Sequence, residues 1–317
     1  MGLESIRGLR KIYGHHSKYQ HIEVWEDTLG LGRILTLDGR VQLTTYDQHR
    51  YHECLGVIPY LFTEHARRVA ILGGGDGYVA RLLLALFPVE RVTLVDIDPD
   101  VIEAARAFFE FPEDDRLEII HADAADWVRG DVVDAGTARG YDLVIADYTD
   151  PTSPYSVSLY TIEHFEEIRK HRLTDRGVFA TQMVSPYSSP KASGCLILTM
   201  MKAFPKYTVY PYKVHLPMQP SPGQNGFLLA APGLMQTPLP MGLRYLNPMT
   251  LQAVFSLGND EMYDLAAVVP STRESPMYAQ LYNKAYARDT EEWEVQINED
   301  QAGVPDEDTE TVRKAAG

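Results

Sequence analysis

The feature that most constrains the fold of this chain is a short apolar run followed at once by a glycine-rich turn. Residues 69–72 are all apolar, residues 73–77 read GGGDG, and apolar residues then recur at helical spacing over residues 79–86. Glycines allow backbone N–H groups to approach a ligand closely, and the N-terminus of the following helix adds positive electrostatic potential. This order of strand, turn and helix predicts a ligand-binding loop that contains Gly73 and Gly75.

A second apolar run, over residues 91–97, ends in acidic residues. Asp96 lies twenty positions after Asp76 in the chain. An acidic residue at about this distance, at the tip of the second strand, commonly binds the hydroxyl groups of a ribose. Together with the glycine turn, Asp96 predicts a β-α-β unit that binds a nucleoside.

Asp76 indicates the charge of the ligand, because it lies inside the glycine turn. Dinucleotides place a pyrophosphate against such a turn, and a carboxylate would repel it. A cationic ligand, such as a sulfonium nucleoside with an amine tail, suits the position better. The alternative is that Asp76 only caps the following helix, as aspartate often does.

Strands and helices alternate from residue 68 onward. We predict further strands over residues 117–120, 141–146 and 177–182, helices over residues 100–109, 159–173 and 190–204, and a closing antiparallel pair over residues 208–216 and 226–231. This alternation predicts an α/β fold, a Rossmann-like parallel sheet of the class I methyltransferase type with a small N-terminal β domain. The carboxyl ends of parallel strands share one edge of the sheet. Four acidic residues are expected to converge at this edge: Asp76, Asp96, Asp123 and Asp147.

The region ahead of the sheet predicts short strands and then a helix. Asp38-Gly39 between two strand-like runs is a strong signal for a hairpin turn. In the helix predicted over residues 47–61, the ordinary interpretation is that Tyr51 is a packed aromatic and His52 a surface residue. The predicted domains are a β-hairpin domain (1–55), a nucleoside-binding catalytic domain (56–240), a helical addition (241–288) and a mobile acidic tail (289–317).

Composition limits the partners and the location. The net charge of −15 argues against nucleic acid as a partner. No apolar run approaches the roughly 20 residues of a membrane span, and the first residues lack the apolar core of a secretory signal. Cys54 and Cys195 are the only cysteines, and their spacing indicates a reducing compartment, here the cytoplasm, and no metal site, while leaving one disulfide open.

Asp147 and Asp150 bracket the loop that follows the strand predicted over residues 141–146. Two carboxylates three residues apart can serve one amine, because one accepts a proton while the other holds a neighbouring positive charge. An alkylamine has a pKa near the roughly 10.4 of lysine, so it must lose a proton before it attacks. A partly desolvated aspartate has a raised pKa that suits this task. The alternative is a pair of turn-forming aspartates before proline.

Several motifs, in their order and spacing, resemble the aminopropyltransferases, the family of spermidine synthase. The resemblance runs from about Ser17 to about Phe227 and is weaker from there to near Tyr282. The matching motifs are Ser17-Lys18-Tyr19-Gln20, Leu37-Asp38-Gly39-Arg40-Val41-Gln42-Leu43, Tyr51-His52-Glu53, Gly73-Gly74-Gly75-Asp76-Gly77, Asp96-Ile97-Asp98 and Asp147-Tyr148-Thr149-Asp150-Pro151.

The resemblance implies transfer of an aminopropyl group from decarboxylated S-adenosylmethionine to a polyamine, with release of methylthioadenosine. The nucleoside is then a co-substrate, and no further cofactor is expected. The resemblance also suggests a homodimer that forms through the N-terminal β region. The expected partners are therefore small molecules and a second copy of the chain, with neither nucleic acid nor membrane.

The resemblance also assigns roles to residues of the site. Gln20, His52 and Asp76 would hold the aminopropyl donor. Asp96 would bind the ribose hydroxyls, and Asp123 with Ala124 would flank the adenine. The remaining roles concern the acceptor: Asp147 would be the base, while Tyr51 and Asp150 would place the amine.

This chain departs from the family pattern around the acceptor. Gln219 stands where spermidine synthases usually have a tyrosine that helps to bind putrescine, and Val184 stands where the family often has a glutamate. The stretch that follows Val184 resembles the soluble half of bacterial membrane-fused relatives. Putrescine, agmatine and spermidine all stay candidate acceptors.

Two other functions stay open. An S-adenosylmethionine-dependent methyltransferase shares this fold, but such enzymes usually have an acidic residue before the glycines, where this chain has Leu72, and none at the place of Asp76. The other is a protein that binds a nucleoside or a polyamine without catalysis. The presence of Asp147 argues against that second alternative.

Overall fold

The N-terminal part of the protein forms a four-stranded antiparallel sheet. The structure, a computed structural model, describes residues 8–30, 32–132, 140–218 and 223–285. The strands, in the order β1-β2-β3-β4, are β1 (Leu9–His16), β2 (His21–Asp27), β3 (Arg33–Leu37) and β4 (Arg40–Thr44). Asp38 and Gly39 have φ angles of 49° and 75°, and a two-residue hairpin turn of this kind needs positive φ at both positions. The predicted small β region and its hairpin are confirmed.

The helix predicted over residues 47–61 is present, but its winding changes midway. It consists of α1 (Gln48–His52), a π-helical segment (Glu53–Val57) and α2 (Ile58–Leu61). Such π segments are often found at functional sites. This one follows directly after Tyr51 and His52.

The second sheet has seven strands within the described ranges, in the order β10-β11-β9-β8-β5-β6-β7. They are β5 (Arg68–Gly73), β6 (Arg91–Asp96), β7 (Leu117–His121), β8 (Tyr141–Asp147), β9 (Leu173–Met183), β10 (Thr208–His215) and β11 (Gln224–Ala231). Strands β5 to β9 pair in parallel, whereas β11 pairs with β9 and with β10 in antiparallel fashion. The predicted parallel sheet with a closing antiparallel pair is confirmed.

Helices cover both faces of this sheet. They are α3 (Tyr78–Leu86), α4 (Pro99–Phe108), α5 (Ala124–Arg129), α6 (Pro154–Val157), α7 (Ile162–Glu167), α8 (Pro190–Ala203) and α9 (Pro248–Val254). Alternate residues of a strand point to opposite faces, so Val69 and Ile71 of β5 lie in one apolar core while Ala70 and Leu72 lie in another. A central strand that is apolar on both faces is typical of a doubly covered parallel sheet.

The segment between β8 and β9 differs from the single helix predicted over residues 159–173. Thr161 has an extended backbone, with φ −127° and ψ 157°, and its side chain accepts a hydrogen bond from the N–H of His164, so it starts α7 as a separate helix. A 3₁₀ turn (Ser158–Tyr160) precedes α7, and a π segment (Ile168–Arg172) follows it. The prediction of one continuous helix was wrong because Thr161 interrupts it.

Strand β9 is also longer than the predicted strand over residues 177–182. Leu173 already pairs with Tyr141, and the register then shifts before Val178 pairs with Leu143. The polar residues between Leu173 and Val178 lie in this irregular stretch. These polar residues are typical of a loop, although they already belong to β9.

The N-terminal sheet packs on α4 and the residues that follow it. Ile22 and Leu35 form a buried cluster with Val101 of α4 and with Phe109. Arg33 extends the contact, because its Nη1 donates to the carbonyl oxygen of Phe108 at 3.0 Å. This packing holds the small sheet next to the edge of the large one.

The region after β11 contains α9, a 3₁₀ turn (Leu265–Ala267) and helical residues 277–285. The predicted tail of residues 289–317 lies outside the described residues, and the domain boundaries stay predictions. Within the described part of the chain, no helix combines the length and the apolar character needed to cross a bilayer.

Candidate active site

A cleft of about 650 Å³ lies between the N-terminal sheet and the carboxyl edge of the large sheet. Most of the predicted site residues line it, namely Gln20, Tyr51, Gly73, Gly75, Asp76, Asp96, Asp123, Ala124, Asp147 and Asp150. His52 lies behind this surface and contacts Asp76. Gln219 lies outside the described residues. The convergence of the four acidic strand ends is therefore observed.

The glycine turn is shaped by the neighbouring strand end. Gly73 has a φ of +77°, and a Cβ atom there would lie 2.3 Å from the carbonyl oxygen of Asp147. A Cβ atom on Gly75 would lie 2.8 Å from Oδ2 of Asp96. Any larger residue at either position would displace a carboxylate-bearing residue of the cleft, which is the physical reason for glycine here.

Asp76 uses its two carboxylate oxygens differently. Oδ1 accepts a hydrogen bond from the N–H of Tyr78 at 2.8 Å, as the helix-cap alternative expects. Oδ2 lies 3.4 Å from Nε2 of His52. Capping therefore accounts for only one of the two oxygens.

His52 is buried, with 2% of its surface exposed, so its ordinary interpretation as a surface residue is wrong. The helix turns its side chain inward, and Nδ1 lies 2.7 Å from the carbonyl oxygen of Gln48. Burial by itself lowers the pKa of His52, but the nearby charges of Asp76 and Asp147 raise it above its usual value. These charges shift the imidazole toward its protonated form, next to Asp76.

Asp147 lies at the end of β8, directly beside the glycine turn. Its Oδ1 accepts a hydrogen bond from the hydroxyl of Tyr51 at 2.8 Å. Burial, followed by the negative charge of Asp76, raises the pKa of Asp147 to about 6, against the opposing effects of His52 and of the Tyr51 hydrogen bond. A carboxylate with this pKa can accept a proton near neutral pH.

His52, Asp76 and Asp147 form a compact cluster, since one potential ligand atom from each lies within 4.8 Å of the other two. Their residue types would suit a metal ion, but a metal needs a neutral imidazole. The raised pKa of His52 opposes that state. The two carboxylates could also hold an organic ammonium group, and the absence of a metal stays a prediction.

The nucleoside end of the cleft is formed by the ends of β6 and β7. Burial is the main cause that raises the pKa of Asp96 to about 7. Asp123 caps α5, because its Oδ1 accepts from the N–H of Ala125 at 2.7 Å. Gln20 reaches this end from the N-terminal sheet, and its Nε2 donates to Oδ2 of Asp98 at 2.9 Å.

The other end of the cleft contains Asp150. Its Oδ2 accepts a hydrogen bond from the hydroxyl of Tyr282 at 2.7 Å. Burial raises the pKa of Asp150, although this hydrogen bond and the charge of Arg40 act against the shift. Arg40 lines the cleft and donates to Oγ1 of Thr152 at 2.8 Å.

The sequence-based interpretation missed three residues near this end: Arg40, Gln182 and Tyr282. Arg40 and Gln182 line the cleft. Arg40 follows the Asp38-Gly39 turn directly, so this motif could have predicted that Arg40 lies beside the site. Tyr282 was assigned to a separate helical addition, and no local signal links it to Asp150.

Fold and cleft together define a class of protein, an α/β protein with a mostly parallel sheet and a carboxylate-rich cleft at the carboxyl edge of that sheet. Comparison with known families then identifies the family within this class. The family profile for the spermine/spermidine synthase domain matches residues 48–231, and the profile for the spermidine synthase tetramerisation domain matches residues 10–45. The chain belongs to the spermine/spermidine synthase family.

Curated relatives agree with this assignment. The chain is 34% identical over 263 residues to polyamine aminopropyltransferase 2 of Ralstonia nicotianae, covering 78% of this chain and 48% of that protein. It is 36% identical over 271 residues to polyamine aminopropyltransferase of Mycobacterium tuberculosis, covering 82% and 49%, and 35% identical over 261 residues to that of Thermoplasma volcanium, covering 80% and 90%. The chain thus spans about half the length of the Ralstonia and Mycobacterium proteins.

Solved structures show the same likeness. Spermidine synthase in complex with the transition-state analogue AdoDATO superposes with a TM-score of 0.69 at 29% identity, covering 79% of this chain and 86% of that one. Spermidine synthase from Thermotoga maritima superposes with a TM-score of 0.68 at 29% identity, covering 79% and 85%. The predicted fold class is therefore confirmed, while the resemblance to membrane-fused relatives stays a prediction.

Proposed function

We propose that this protein transfers the aminopropyl group of decarboxylated S-adenosylmethionine to a polyamine and releases methylthioadenosine. One observation carries the proposal: Asp76 places a carboxylate inside the glycine turn, with Oδ2 3.4 Å from Nε2 of His52 and one carboxylate oxygen within 4.8 Å of an Asp147 oxygen. A propylamine cation is attracted to such a site, whereas the carboxylate of ordinary S-adenosylmethionine is repelled. Family membership supports the same activity and disfavours methyl transfer.

The chemistry requires one proton transfer and one displacement. Asp147 accepts a proton from the acceptor ammonium, which leaves a neutral amine with a free electron pair. This nitrogen attacks the carbon bound to the sulfonium, so that a C–N bond forms while the C–S bond breaks. The sulfur keeps the electron pair and leaves as the neutral thioether of methylthioadenosine. Positioning and deprotonation supply most of the catalysis in such a reaction.

The donor is bound by residues from both sheets. Asp76, backed by His52, contacts its aminopropyl end. Gln20, which is hydrogen-bonded to Asp98, lies with Asp96 at the ribose, whose hydroxyls donate to Asp96. Asp123 and Ala124 flank the adenine, while the absence of side chains at Gly73 and Gly75 allows the nucleoside to approach the turn. No further cofactor takes part in this proposal.

The acceptor occupies the other end of the cleft. Tyr51 and Asp150 place its reacting and distal amines, and the family resemblance assigns Gln219 to acceptor binding as well. We further propose that the protein acts in the cytoplasm as a homodimer formed through the N-terminal sheet. The match of residues 10–45 to a tetramerisation domain supports self-association, and two buried free cysteines support a reducing compartment.

Incubation with a nucleoside donor and an amine panel tests the function. We expect decarboxylated S-adenosylmethionine to yield methylthioadenosine and an amine extended by one aminopropyl group, both identified by mass. Ordinary S-adenosylmethionine is the matched control and should yield neither product. A methylated product with S-adenosylhomocysteine would instead establish the methyltransferase alternative, and binding of both substrates without turnover would establish the binding-protein alternative.

A further inference from the structure

The helical residues 277–285 follow the part of the chain that the synthase-domain profile matches, yet they reach the acceptor end of the cleft. Tyr282 donates its hydroxyl hydrogen to Oδ2 of Asp150 at 2.7 Å. Asn283 Nδ2 donates to the carbonyl oxygen of Pro151 at 3.4 Å. The hydroxyl of Tyr278 accepts from the N–H of Val184 at 2.9 Å. Three side chains thus dock this helix onto the strand ends that carry the acceptor site.

The Tyr282–Asp150 bond has a defined direction. An ionised carboxylate can only accept, so the phenol must donate. Burial and the charge of Asp150 both raise the pKa of Tyr282, so the phenol keeps its proton. The bond occupies Oδ2 and fixes the plane of the carboxylate. Asp150 lines the cleft, whereas Tyr282 does not, so Tyr282 acts on a ligand through Asp150.

Tyr282 is separate from the reacting groups. Asp147 is hydrogen-bonded to Tyr51, and Asp76 faces His52, whereas the hydroxyl of Tyr282 donates to Asp150. A change at this hydroxyl therefore affects the recognition of the acceptor more than the deprotonation or the binding of the donor.

We propose that Tyr282 is a positioning residue for the acceptor: it holds Asp150 so that the second carboxylate oxygen, Oδ1, receives the distal ammonium of the amine. This inference rests on the proposed function for the identity of the ligand. It assigns part of the acceptor specificity to a segment outside the matched synthase domain.

A double-mutant cycle between Tyr282→Phe and Asp150→Asn tests the proposal. The dissociation constants of putrescine, agmatine and spermidine are measured by calorimetry with methylthioadenosine bound. Because the Tyr282→Phe variant loses a hydrogen bond to a charged group, we expect the amine that binds best to bind roughly tenfold more weakly. In the Asp150→Asn background, the same change should alter affinity by less than about twofold, since coupled residues are not additive.

Two further variants separate this role from simple docking of the helix. Tyr278→Phe removes a hydrogen bond of the same helix that does not involve Asp150, and Gln280→Ala changes an exposed residue of that helix. Neither change should be coupled to Asp150→Asn. In steady-state kinetics, Tyr282→Phe should raise KM for the amine with kcat within about twofold of wild type, and the affinity for methylthioadenosine should stay unchanged.

Equal amine affinities of wild type and Tyr282→Phe would overturn the proposal. The proposal would also be overturned if the loss of amine affinity in Tyr282→Phe were equally large in the Asp150→Asn background. The same holds if Tyr278→Phe lost as much amine affinity as Tyr282→Phe. The affinity cycle needs no turnover. A failure of the proposed function therefore shows separately, as the absence of aminopropylated product with the wild-type protein.

Discussion

Asp147 has both the position and the pKa of a general base. It lies beside the glycine turn, accepts a hydrogen bond from Tyr51, and has a pKa of about 6. Asp147→Asn keeps the size of the side chain but removes its basicity, so we expect kcat to fall by roughly 10²-fold or more. Calorimetric binding of methylthioadenosine should stay unchanged as the control. Near wild-type turnover would exclude Asp147 as the base.

The pH dependence of turnover follows from the same residue. A base must be deprotonated, so kcat/KM for the amine, measured with saturating donor, should fall as the pH falls through about 6. Tyr51→Phe removes a hydrogen bond that lowers the pKa of Asp147, and the acid limb should move to higher pH. Asp76→Asn removes a negative charge that raises this pKa, and the limb should move to lower pH. If the acid limbs of the Tyr51→Phe and Asp76→Asn variants shift in the same direction, the assignment of Asp147 as the base is contradicted.

Asp76 should discriminate between ligands according to their charge. Asparagine keeps an oxygen that can cap the helix at Tyr78, so Asp76→Asn tests the charge facing His52 rather than the cap. We expect the affinity for decarboxylated S-adenosylmethionine to fall far more than that for methylthioadenosine, because only the donor carries a propylamine cation. Calorimetry with both ligands measures this, and equal losses would show that Asp76 is only a cap.

Among the elements, the helix that carries Tyr51 and His52 is anchored by Glu53 in its π segment. Glu53 is buried, with 2% exposure, and its carboxylate accepts hydrogen bonds from three consecutive backbone N–H groups, those of Arg244, Tyr245 and Leu246, at 2.7–2.9 Å. The irregular region after β11 is thus fastened to the helix that positions the site.

Glu53→Gln should destabilise the protein, because one carboxylate oxygen becomes an NH₂ group that faces N–H donors. We expect a loss of about 2–4 kcal/mol in the free energy of unfolding and a Tm lower by roughly 5 °C or more. Glu64→Gln is the matched control, since Glu64 forms an exposed ion pair with Arg176 and such pairs contribute little. Thermal unfolding of both variants compares them, and equal Tm values would show that Glu53 is no anchor.

At the scale of the whole molecule, both sheets and the helix of residues 277–285 contribute to the end of the cleft that contains Asp150. Val184 lies at the end of β9, and its N–H is bound by Tyr278. By the family resemblance, Val184 stands where a glutamate is often found, so we expect one carboxylate for a second ammonium to be missing. Gln219, in place of a family tyrosine, lies outside the described residues.

We therefore expect that putrescine is not a strongly preferred acceptor and that a longer polyamine reacts at least as well. A desolvated, charge-assisted hydrogen bond contributes about 1.5–3 kcal/mol. Loss of the carboxylate that would hold the second ammonium therefore weakens the binding of a short diamine, whose two amines are a fixed distance apart. Side-by-side kcat/KM values for putrescine, agmatine and spermidine measure the preference. A preference for putrescine above about tenfold, or about 1.4 kcal/mol, would show that other residues have rebuilt a short-diamine pocket.

The sequence by itself determined the elements with strong local signals. The glycine turn, the Asp38-Gly39 hairpin and the alternation of strands and helices depend on residues close in the chain, and all three are present. The parallel order of the strands then placed Asp76, Asp96 and Asp147 at one edge. Local periodicity sufficed for this because the carboxyl ends of parallel strands share an edge of the sheet.

Only the tertiary structure decided the surroundings of these groups. In the folded chain, His52 is a buried partner of Asp76. Glu53 binds the backbone of residue 244 and its neighbours, and Tyr282 donates a hydrogen bond to Asp150. The last two contacts join residues more than a hundred positions apart. No periodic pattern encodes such a contact, because it depends on how separate elements pack. The raised pKa of Asp147 has the same origin, since burial and the approach of Asp76 exist only in the folded chain.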